Sequence, residues 1–443
     1  MSEPIIQPPQ NVGQRIAKNM GMLFGGKAAA GVLSIFVLII SARSLSIDGL
    51  GSLLMLHAYV MLVTGIASFK SWQAIIQYGA EPYQVGDTDK LHRLMRFTIF
   101  LDGVAAIAAT IVSMVIFPFV MPLMGLSSEY LIPGLIYCGL SAINLRSSPL
   151  GVLRLVDRFD LISLHSLIVP VVRLLGVLVC WYLEMGLIWF IGVWFVASAA
   201  SYLLMPLLGL RELARRGLLK GLFSEGFTLK APQPGVWRFV WISNLDATIS
   251  LADTHIATLL SGGLLGPAFA AVFKIARDIS DVLAKSARLL DKAMYPELVR
   301  IILAGEASRA LRLIIRTSAL MLGVGVMFAV VVYVFGTGVF TTALDTDYAG
   351  LAGVTTALII AATIFAAAAP LYPALYALGE PGRATIARAG GVMAIIGLFF
   401  LLTPIMGEAG PGLAMIFGQL VGLFLVGWMC ISRLGVRRKL QGG

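Results

Sequence analysis

The chain has 443 residues and a formal net charge of +10, and 58% of its residues are hydrophobic while only 13% are charged. Its mean hydropathy of +0.91 implies more apolar surface than a soluble core can bury, which excludes an ordinary soluble enzyme, a disordered chain and a small secreted module. The three cysteines lie inside apolar runs, which excludes a disulfide framework and a zinc cluster. The composition therefore predicts an integral membrane protein.

Twelve apolar stretches are long enough to cross a bilayer, because a spanning helix needs about 20 apolar residues. Continuous runs of this length favour helices over barrel strands, so we predict an all-α protein. Pro133 and Asn144 interrupt the fourth stretch, and a row of charges interrupts the eighth. The predicted spans are residues 20–42, 50–69, 97–117, 131–150, 161–183, 187–209, 238–260, 266–290, 313–335, 350–377, 386–405 and 412–432.

The distribution of basic residues predicts how these spans are oriented, since Lys and Arg collect on the cytoplasmic side of a membrane. With the N-terminus inside, 26 of the 33 Lys and Arg fall in inner segments and only Arg43 falls in an outer loop. We therefore predict that both termini are cytoplasmic. The basic excess then faces anionic inner-leaflet lipid, and nucleic acid is not an expected partner.

Two similar segments indicate a duplicated architecture. Residues 42–54 and 257–269 are predicted outer turns, and at a shift of 215 they share five identities: Ala42 with Ala257, Leu45 with Leu260, Ser46 with Ser261, Leu50 with Leu265 and Gly51 with Gly266. Chance similarity among small apolar residues is the alternative. A duplication implies two pseudo-symmetric six-helix bundles with the substrate between them. The predicted parts are a cytoplasmic N-terminal tail, 1–19, a first lobe, 20–209, a cytoplasmic linker, 210–236, a second lobe, 237–432, and a cytoplasmic C-terminal tail, 433–443.

Span eight carries the charge pattern that most strongly indicates function. Seven charged residues in and just after this span fall within an arc of roughly 100° at 100° per residue, and they are Lys274, Arg277, Asp278, Asp281, Lys285, Arg288 and Lys292. Because a charge facing lipid costs about 3 kcal/mol or more, this face predicts a water-filled cavity or a protein partner. The alternative is an amphipathic helix lying on the membrane surface, which would leave eleven spans and place the basic C-terminus outside.

Other polar residues within spans are further candidates for the substrate cavity or for ion coupling. Asp246 and Asp253 share one face of span seven, where they either pair with the span-eight cations or bind a coupling ion; Asp102 in span three is a third coupling candidate. Lys27 and Arg173 are cations inside spans, so we expect them to face a polar cavity.

Prolines in span ten predict a flexible point, and the absence of known motifs argues against catalysis. Pro370 and Pro373 remove helix hydrogen bonds, which predicts either a hinge or a static kink. The sequence has no nucleotide-binding loop, no metalloprotease motif and no paired-cysteine motif. We therefore expect a protein that is not an enzyme and needs no cofactor beyond a coupling Na⁺ or H⁺.

Several loose motifs together resemble one transporter family along nearly the whole chain. They are NMGMLFGGKAAAGVLS, ARSLSIDGLG, RSSPLGVLRLVDRFD, WRFVWISNLD, GPAFAAVFKIARDISDVLAKSARLLDKAMYPELVR and YALGEPGRATIAR. The chain resembles the Wzx-type flippases of O-antigen and exopolysaccharide repeats, in the polysaccharide transporter branch of the multidrug, oligosaccharidyl-lipid and polysaccharide (MOP) superfamily.

The resemblance implies a MATE-like fold in the bacterial inner membrane. It implies that undecaprenyl-diphosphate-linked oligosaccharide for lipopolysaccharide or exopolysaccharide synthesis is moved to the periplasmic leaflet by alternating access. Cavity cations would meet the diphosphate, and polysaccharide polymerase or export machinery would be a partner. The alternative is an ion-coupled multidrug antiporter of the same superfamily that uses Asp246 or Asp253. A glycan polymerase or ligase would need a large outer loop, which the sequence lacks.

Overall fold

The computed structural model describes residues 12–251, 255–344 and 350–441, and within these ranges the chain is helical with no β-strand. The α-helices are α1 Val12–Ser44, α2 Ile47–Ala67, α3 Ser71–Val85, α4 Thr88–Val120, α5 Leu131–Cys138, α6 Ser147–Leu155, α7 Phe159–His165, α8 Ile168–Tyr182, α9 Leu187–Arg215, α10 Val236–Leu251, α11 Ala257–Leu265, α12 Pro267–Leu303, α13 Ala307–Leu344, α14 Leu351–Ala368, α15 Leu371–Ala377, α16 Pro381–Met406 and α17 Ala409–Gln441. The predicted all-α class is confirmed.

Nine helical segments in the described part of the chain are long and apolar enough to cross a membrane. Three predicted spans are not among them. The fourth is broken, because α5 passes into a 3₁₀ turn at Gly139–Ile143 and α6 begins only at Ser147. The seventh includes residues 252–254, which lie outside the described residues, and its described parts are α10 and α11. The eighth, α12, is continuous but carries too many charges for an apolar span. The chain is a multi-pass membrane protein.

The chain packs as two units that differ from a simple division by chain order. The first unit contains residues 1–44, 63–119 and 128–247, and the second contains residues 45–62, 120–127 and 248–443. The predicted lobes, 20–209 and 237–432, follow chain order and stay a prediction.

Specific contacts explain why both units take segments from distant parts of the sequence. In the first unit, the start of α10 is fixed by edge-on aromatic contacts, with ring centroids 5.1 Å apart for Phe69 and Trp241 and 5.2 Å apart for Phe97 and Trp237. In the second unit, the Oγ of Ser52 in α2 donates a 2.7 Å hydrogen bond to the carbonyl of Met124. Each unit therefore combines helices that are distant in the sequence, because contacts of this kind and not chain order decide which helices pack together.

The structure corrects the alignment of the two similar segments. The turn between α1 and α2 lies at residues 45–46, whereas α11 continues to Leu265 and the next turn lies at Gly266, where φ is 92°. A shift of 215 therefore places Ser46, in a turn, opposite Ser261, inside a helix. The two segments are not equivalent turns at that register, and the duplicated architecture stays a prediction.

Helix α3 was not predicted, because its 15 residues were assigned to a cytoplasmic loop. The segment includes Glu81 and Pro82, and its apolar residues recur at helical spacing without forming a run of spanning length. Its buried Ile75 packs with Val152 of α6. Helices α3 and α6 approach closely because residue 151 is a glycine. A Cβ at this position would lie only 2.8 Å from the Trp72 Cα.

Glycines allow α16 and α17 to pack closely in the second unit. A Cβ at Gly418 would lie 2.2 Å from the Cγ1 of Ile395 and 3.0 Å from its backbone N and Cα, and a Cβ at Gly391 would lie 3.2 Å from the Gly422 Cα. Small residues commonly mediate such contacts in membrane helices, because lipid supplies no hydrophobic force between them.

We expect Gly418→Leu to lower the free energy of unfolding by about 1–3 kcal/mol, because the new side chain must force the α17 backbone away from α16. Thermal unfolding of the purified protein in detergent measures the effect. Gly397→Leu on α16 is the matched control, since a Cβ there meets no atom within 4 Å. Equal melting temperatures for the two variants would contradict the packing interpretation.

Candidate functional site

Helix α12 carries the charged face, and its opposite side anchors it in the second unit. The helix has 37 residues, or about 55 Å at 1.5 Å per residue. Phe273 is fully buried and meets the ring of Phe399 edge-on at 6.0 Å, while Leu283 and Ala287 pack against Ala366. These apolar contacts fix the rotation of α12 and so the direction of its charged face.

Two ion pairs form within the helix itself. Lys274 pairs with Asp278, and the Nε of Arg277 lies 3.4 Å from Oδ1 of Asp281. Both pairs have i,i+4 spacing, which brings side chains together on a helix surface. The sequence left open whether the charges of spans seven and eight serve structural pairing, and here Asp278 and Asp281 are each matched by a cation one turn earlier.

One edge of the charged face lines a small cavity inside the second unit. Arg277, Asp281 and Arg288 meet α14 and α17 around a volume of about 30 Å³. The guanidinium of Arg277 lies 3.6 Å from the sulfur of Met415, and that of Arg288 lies 5.8 Å from the centre of the Phe365 ring. This volume holds one or two water molecules and no sugar. The cavity therefore hydrates the charged edge and is not itself a cargo site.

The other edge of the face carries Lys274, Asp278 and Lys285. After the two internal pairs are counted, Lys285 and Arg288 leave the described part of the face with an excess of positive charge, and both side chains are exposed. His255 lies within electrostatic range of Lys274 and Arg277. The side chain of Lys292 lies outside the described residues. The arrangement suits a multiply charged anion, because two exposed cations stand three residues apart.

The remaining predicted cavity residues lie in several places. Lys27 is exposed on α1, and Arg173 is half-buried on α8 with its guanidinium 4.8 Å from the centre of the Trp194 ring. Both belong to the first unit, whereas the α12 charges belong to the second. Asp246 lies on α10 but its side chain is outside the described residues, and so is the whole of Asp253. The roles predicted for these residues stay predictions.

Asp102 occupies a different environment from the one expected of an ion-coupling residue. Its side chain is only 5% exposed. One oxygen accepts a 2.6 Å hydrogen bond from the Ser71 hydroxyl, and the other accepts bonds of 2.8 Å and 2.7 Å from the backbone N and the hydroxyl of Ser148. These donors lie in the first turns of α3 and α6, where a carboxylate is stabilised by free amides and by the helix dipole. The contacts favour an anchoring role.

A polar junction that the sequence did not predict lies where α2 ends and α6 begins. The break after α2 and the break before α6 are joined by hydrogen bonds: the hydroxyls of Thr64 and Ser141 lie 2.6 Å apart, and Asn144 Nδ2 donates to the Ser68 hydroxyl at 3.2 Å. The only available signal was the Asn144 interruption and the clustered Ser and Pro residues that follow it.

Basic residues assigned to cytoplasmic loops lie half-buried around this junction. The guanidinium of Arg146 is 4.0 Å from the centre of the Tyr202 ring, and its Nε donates to Asn144 at 2.8 Å. The charge of Arg146 acts on Lys70, which is also half-buried. The guanidinium of Arg154 lies 3.9 Å from the centre of the Trp72 ring. The first unit therefore has a cationic region in its interior, formed by residues that the sequence analysis had assigned to cytoplasmic loops.

Span ten is interrupted at the predicted proline. Helix α14 ends at Ala368 and α15 begins at Leu371, with Pro370 as its N-cap and Pro373 buried in its first turn. Pro370 has no N–H to continue the hydrogen-bond ladder, which explains the break. Whether the break acts as a hinge stays a prediction.

Comparisons with known proteins support the fold. No family model matches the chain. The inner membrane protein YghQ of Escherichia coli (strain K12) is 28% identical over 333 residues, which cover 75% of this chain and 93% of that protein. A multidrug resistance MATE family transporter of the MOP superfamily aligns with a TM-score of 0.73 at 13% identity, covering 92% of this chain and 96% of its own. The lipid II flippase MurJ aligns with a TM-score of 0.65 at 11% identity, covering 94% and 89%. The predicted MATE-like fold is confirmed, whereas membership of the MOP superfamily and the Wzx-type assignment stay predictions.

We expect Asp102→Ala to lower the free energy of unfolding by about 3 kcal/mol, because the buried donors at Ser71 and Ser148 lose their acceptor. Thermal unfolding in detergent tests this, and Glu81→Ala, which removes an exposed carboxylate of α3, is the control. Asp102→Asn keeps part of the acceptor and should be intermediate. Full stability of Asp102→Asn together with loss of ion-dependent transport would instead indicate a coupling role.

Proposed function

We propose, taking the MOP transporter fold as the premise, that this protein is a flippase for undecaprenyl-diphosphate-linked oligosaccharide. It would move the repeat unit from the cytoplasmic to the periplasmic leaflet of the bacterial inner membrane by alternating access. The relative YghQ, which is described as an inner membrane protein, supports that location. The fold is also that of a lipid II flippase, which supports a lipid-linked cargo.

The observation that carries this proposal is the excess of positive charge on the charged face of α12. Lys285 and Arg288 remain after the two internal ion pairs form, and both side chains are exposed. A cation is costly in a membrane-spanning segment unless water or an anion meets it. A diphosphate offers several acceptor oxygens and more than one negative charge, which matches two cations one turn apart.

The competing function is an ion-coupled multidrug antiporter. The fold similarity to a multidrug MATE family transporter, with a TM-score of 0.73, favours it. That function needs an acidic group to bind Na⁺ or H⁺, and Asp246 and Asp253 are the candidates. The charges of α12 favour the flippase, because an exposed cationic edge repels the cationic amphiphiles that such antiporters carry.

We expect Lys285→Gln and Arg288→Gln each to slow flipping of a lipid-diphosphate oligosaccharide by about tenfold, because each removes one charge-assisted contact worth about 1.4 kcal/mol or more. Proteoliposomes containing a fluorescent lipid-linked oligosaccharide measure flipping by its accessibility to a membrane-impermeant glycosidase. Arg300→Gln is the matched control, since Arg300 lies on the same helix with its side chain 79% exposed and pairs with Glu297.

Unchanged flipping in both cation variants would refute the role of α12. Proton-driven or sodium-driven efflux of a cationic dye by the same proteoliposomes, without flipping of the oligosaccharide, would establish the antiporter instead.

A second experiment separates internal pairing from cargo contact at Arg277. Arg277→Ala should abolish export of the glycan while the protein still inserts, and Lys274→Ala should do the same. If Arg277 serves only to neutralise Asp281, the double variant Arg277→Ala/Asp281→Ala should recover transport, because no half-buried carboxylate is left unpaired. We expect recovery, because Arg277 is buried and already paired with Asp281. Failure to recover would instead indicate that the guanidinium contacts the cargo.

A further inference from the structure

The first unit contains a polar cavity whose lining includes none of the residues discussed for transport. It has a volume of about 360 Å³ and lies between the start of α4 and the loop that follows α9. Both segments are on the predicted cytoplasmic side. Its ionisable lining consists of three cations, one histidine and two acids: Arg93, Arg96, Lys220, His92, Asp89 and Glu225.

A buried guanidinium in this cavity is held by a surface carboxylate. Arg96 is only 5% exposed, and it forms an ion pair with Glu225, whose side chain is 69% exposed on the loop after α9. A buried cation without an anion is strongly unfavourable, so Glu225 fills an anion position. A phosphodiester group can take that position, because it carries the same single negative charge on two non-bridging oxygens and its ester oxygens are further acceptors.

The rest of the cavity is preformed. The backbone N of Lys90 donates a 3.0 Å hydrogen bond to Asp87, which caps α4, and this bond lowers the pKa of the Asp87 carboxyl below its ordinary value. Nε2 of His92 lies 2.8 Å from the carbonyl of Leu218 and ties the loop to α4. Asp87 therefore already caps the start of α4. An incoming anion would bind the side-chain cations and not the amides of the helix terminus.

Exposed aromatic side chains stand beside these cations. Phe223 is 54% exposed and Phe227 is 40% exposed, with ring centroids 6.0 Å apart, and Phe100 of α4 stacks on Phe227 at 6.3 Å. Phe100 lies one turn beyond Arg96, at the predicted entry of α4 into the membrane. Aromatic rings next to basic groups are typical of the membrane–water interface, where rings contact acyl chains and cations contact phosphates.

We propose that this cavity binds the phosphate of an anionic membrane phospholipid. Arg93, Arg96 and Lys220 surround the phosphate, Glu225 withdraws from Arg96, and the aromatic side chains contact the acyl chains. The lipid is a resident of the cytoplasmic leaflet and not the transported cargo, so this inference does not depend on the proposed function.

Native mass spectrometry of the purified full-length protein, titrated with phosphatidylglycerol or phosphatidylcholine of matched acyl chains, tests the proposal. Phosphatidylglycerol should bind about tenfold more tightly. Arg93→Gln and Lys220→Gln, both at exposed positions, should each weaken its binding by about tenfold. Arg215→Gln is the control, because this arginine is 61% exposed, pairs with Glu212 and lies outside the cavity lining.

Glu225→Gln provides the opposite test. Removing the carboxylate that competes for Arg96 should tighten phosphatidylglycerol binding several-fold without changing the binding of phosphatidylcholine. Equal affinity for the two lipids, or an equal loss in Arg215→Gln, would overturn the proposal. Displacement of phosphatidylglycerol by millimolar inorganic phosphate, with phosphate retained on the protein, would assign the cavity to the free anion and would also overturn it.

Discussion

An ionised side chain held away from water must find a partner, and this requirement determines where the charges of the protein lie. Three kinds of partner satisfy it. On α12, Arg277 and Lys274 use carboxylates one turn along the same helix. In the first unit, Asp102 is surrounded by donors from two helix starts. Arg173 lies against an aromatic ring. Each arrangement stabilises the charge locally, so the apolar helices can carry ionisable groups without losing their packing.

Broken helices make the second of these arrangements possible. The helix dipole acts within the first turn, so a carboxylate inside a continuous helix bundle cannot use it. The interruptions before Ser71 and before Ser147 place two helix starts inside the first unit, where Asp102 can contact both. Irregular backbone at membrane depth must be satisfied by other protein groups. The Ser147 hydroxyl accepts from the backbone N of Trp72 at 3.2 Å, and Asp102 accepts from the backbone N of Ser148 at 2.8 Å. The carboxylate and the breaks therefore stabilise one another.

The sequence predicted features that depend on local periodicity and missed those that depend on distant contacts. The 3.6-residue period placed the charges of α12 on one face, and the lost N–H of Pro370 placed the break in span ten. It did not reveal α3, whose apolar residues form no spanning run. The bond from Ser148 to Asp102 joins residues 46 positions apart, and neither residue alone indicates the other. The repeat alignment was wrong because identities among Leu, Ser and Gly carry little information about turns.

The cations that lack an internal carboxylate are the ones expected to meet anions from outside. Buried Glu212 already holds Arg158 at 2.6 Å and Arg216 at 3.0 Å, so these arginines are satisfied within the fold. The acids on the described part of the α12 face, Asp278 and Asp281, already pair with Lys274 and Arg277, which leaves Lys285 and Arg288 in excess. Arg96 pairs with the exposed Glu225. An anion therefore gains an ion pair at α12 without breaking an internal one, and at Arg96 it displaces only an exposed carboxylate. A cation that pairs with a carboxylate inside the fold thus serves the structure. The cations of the α12 face and of the cavity beside α4 are the ones left to bind an anion from outside.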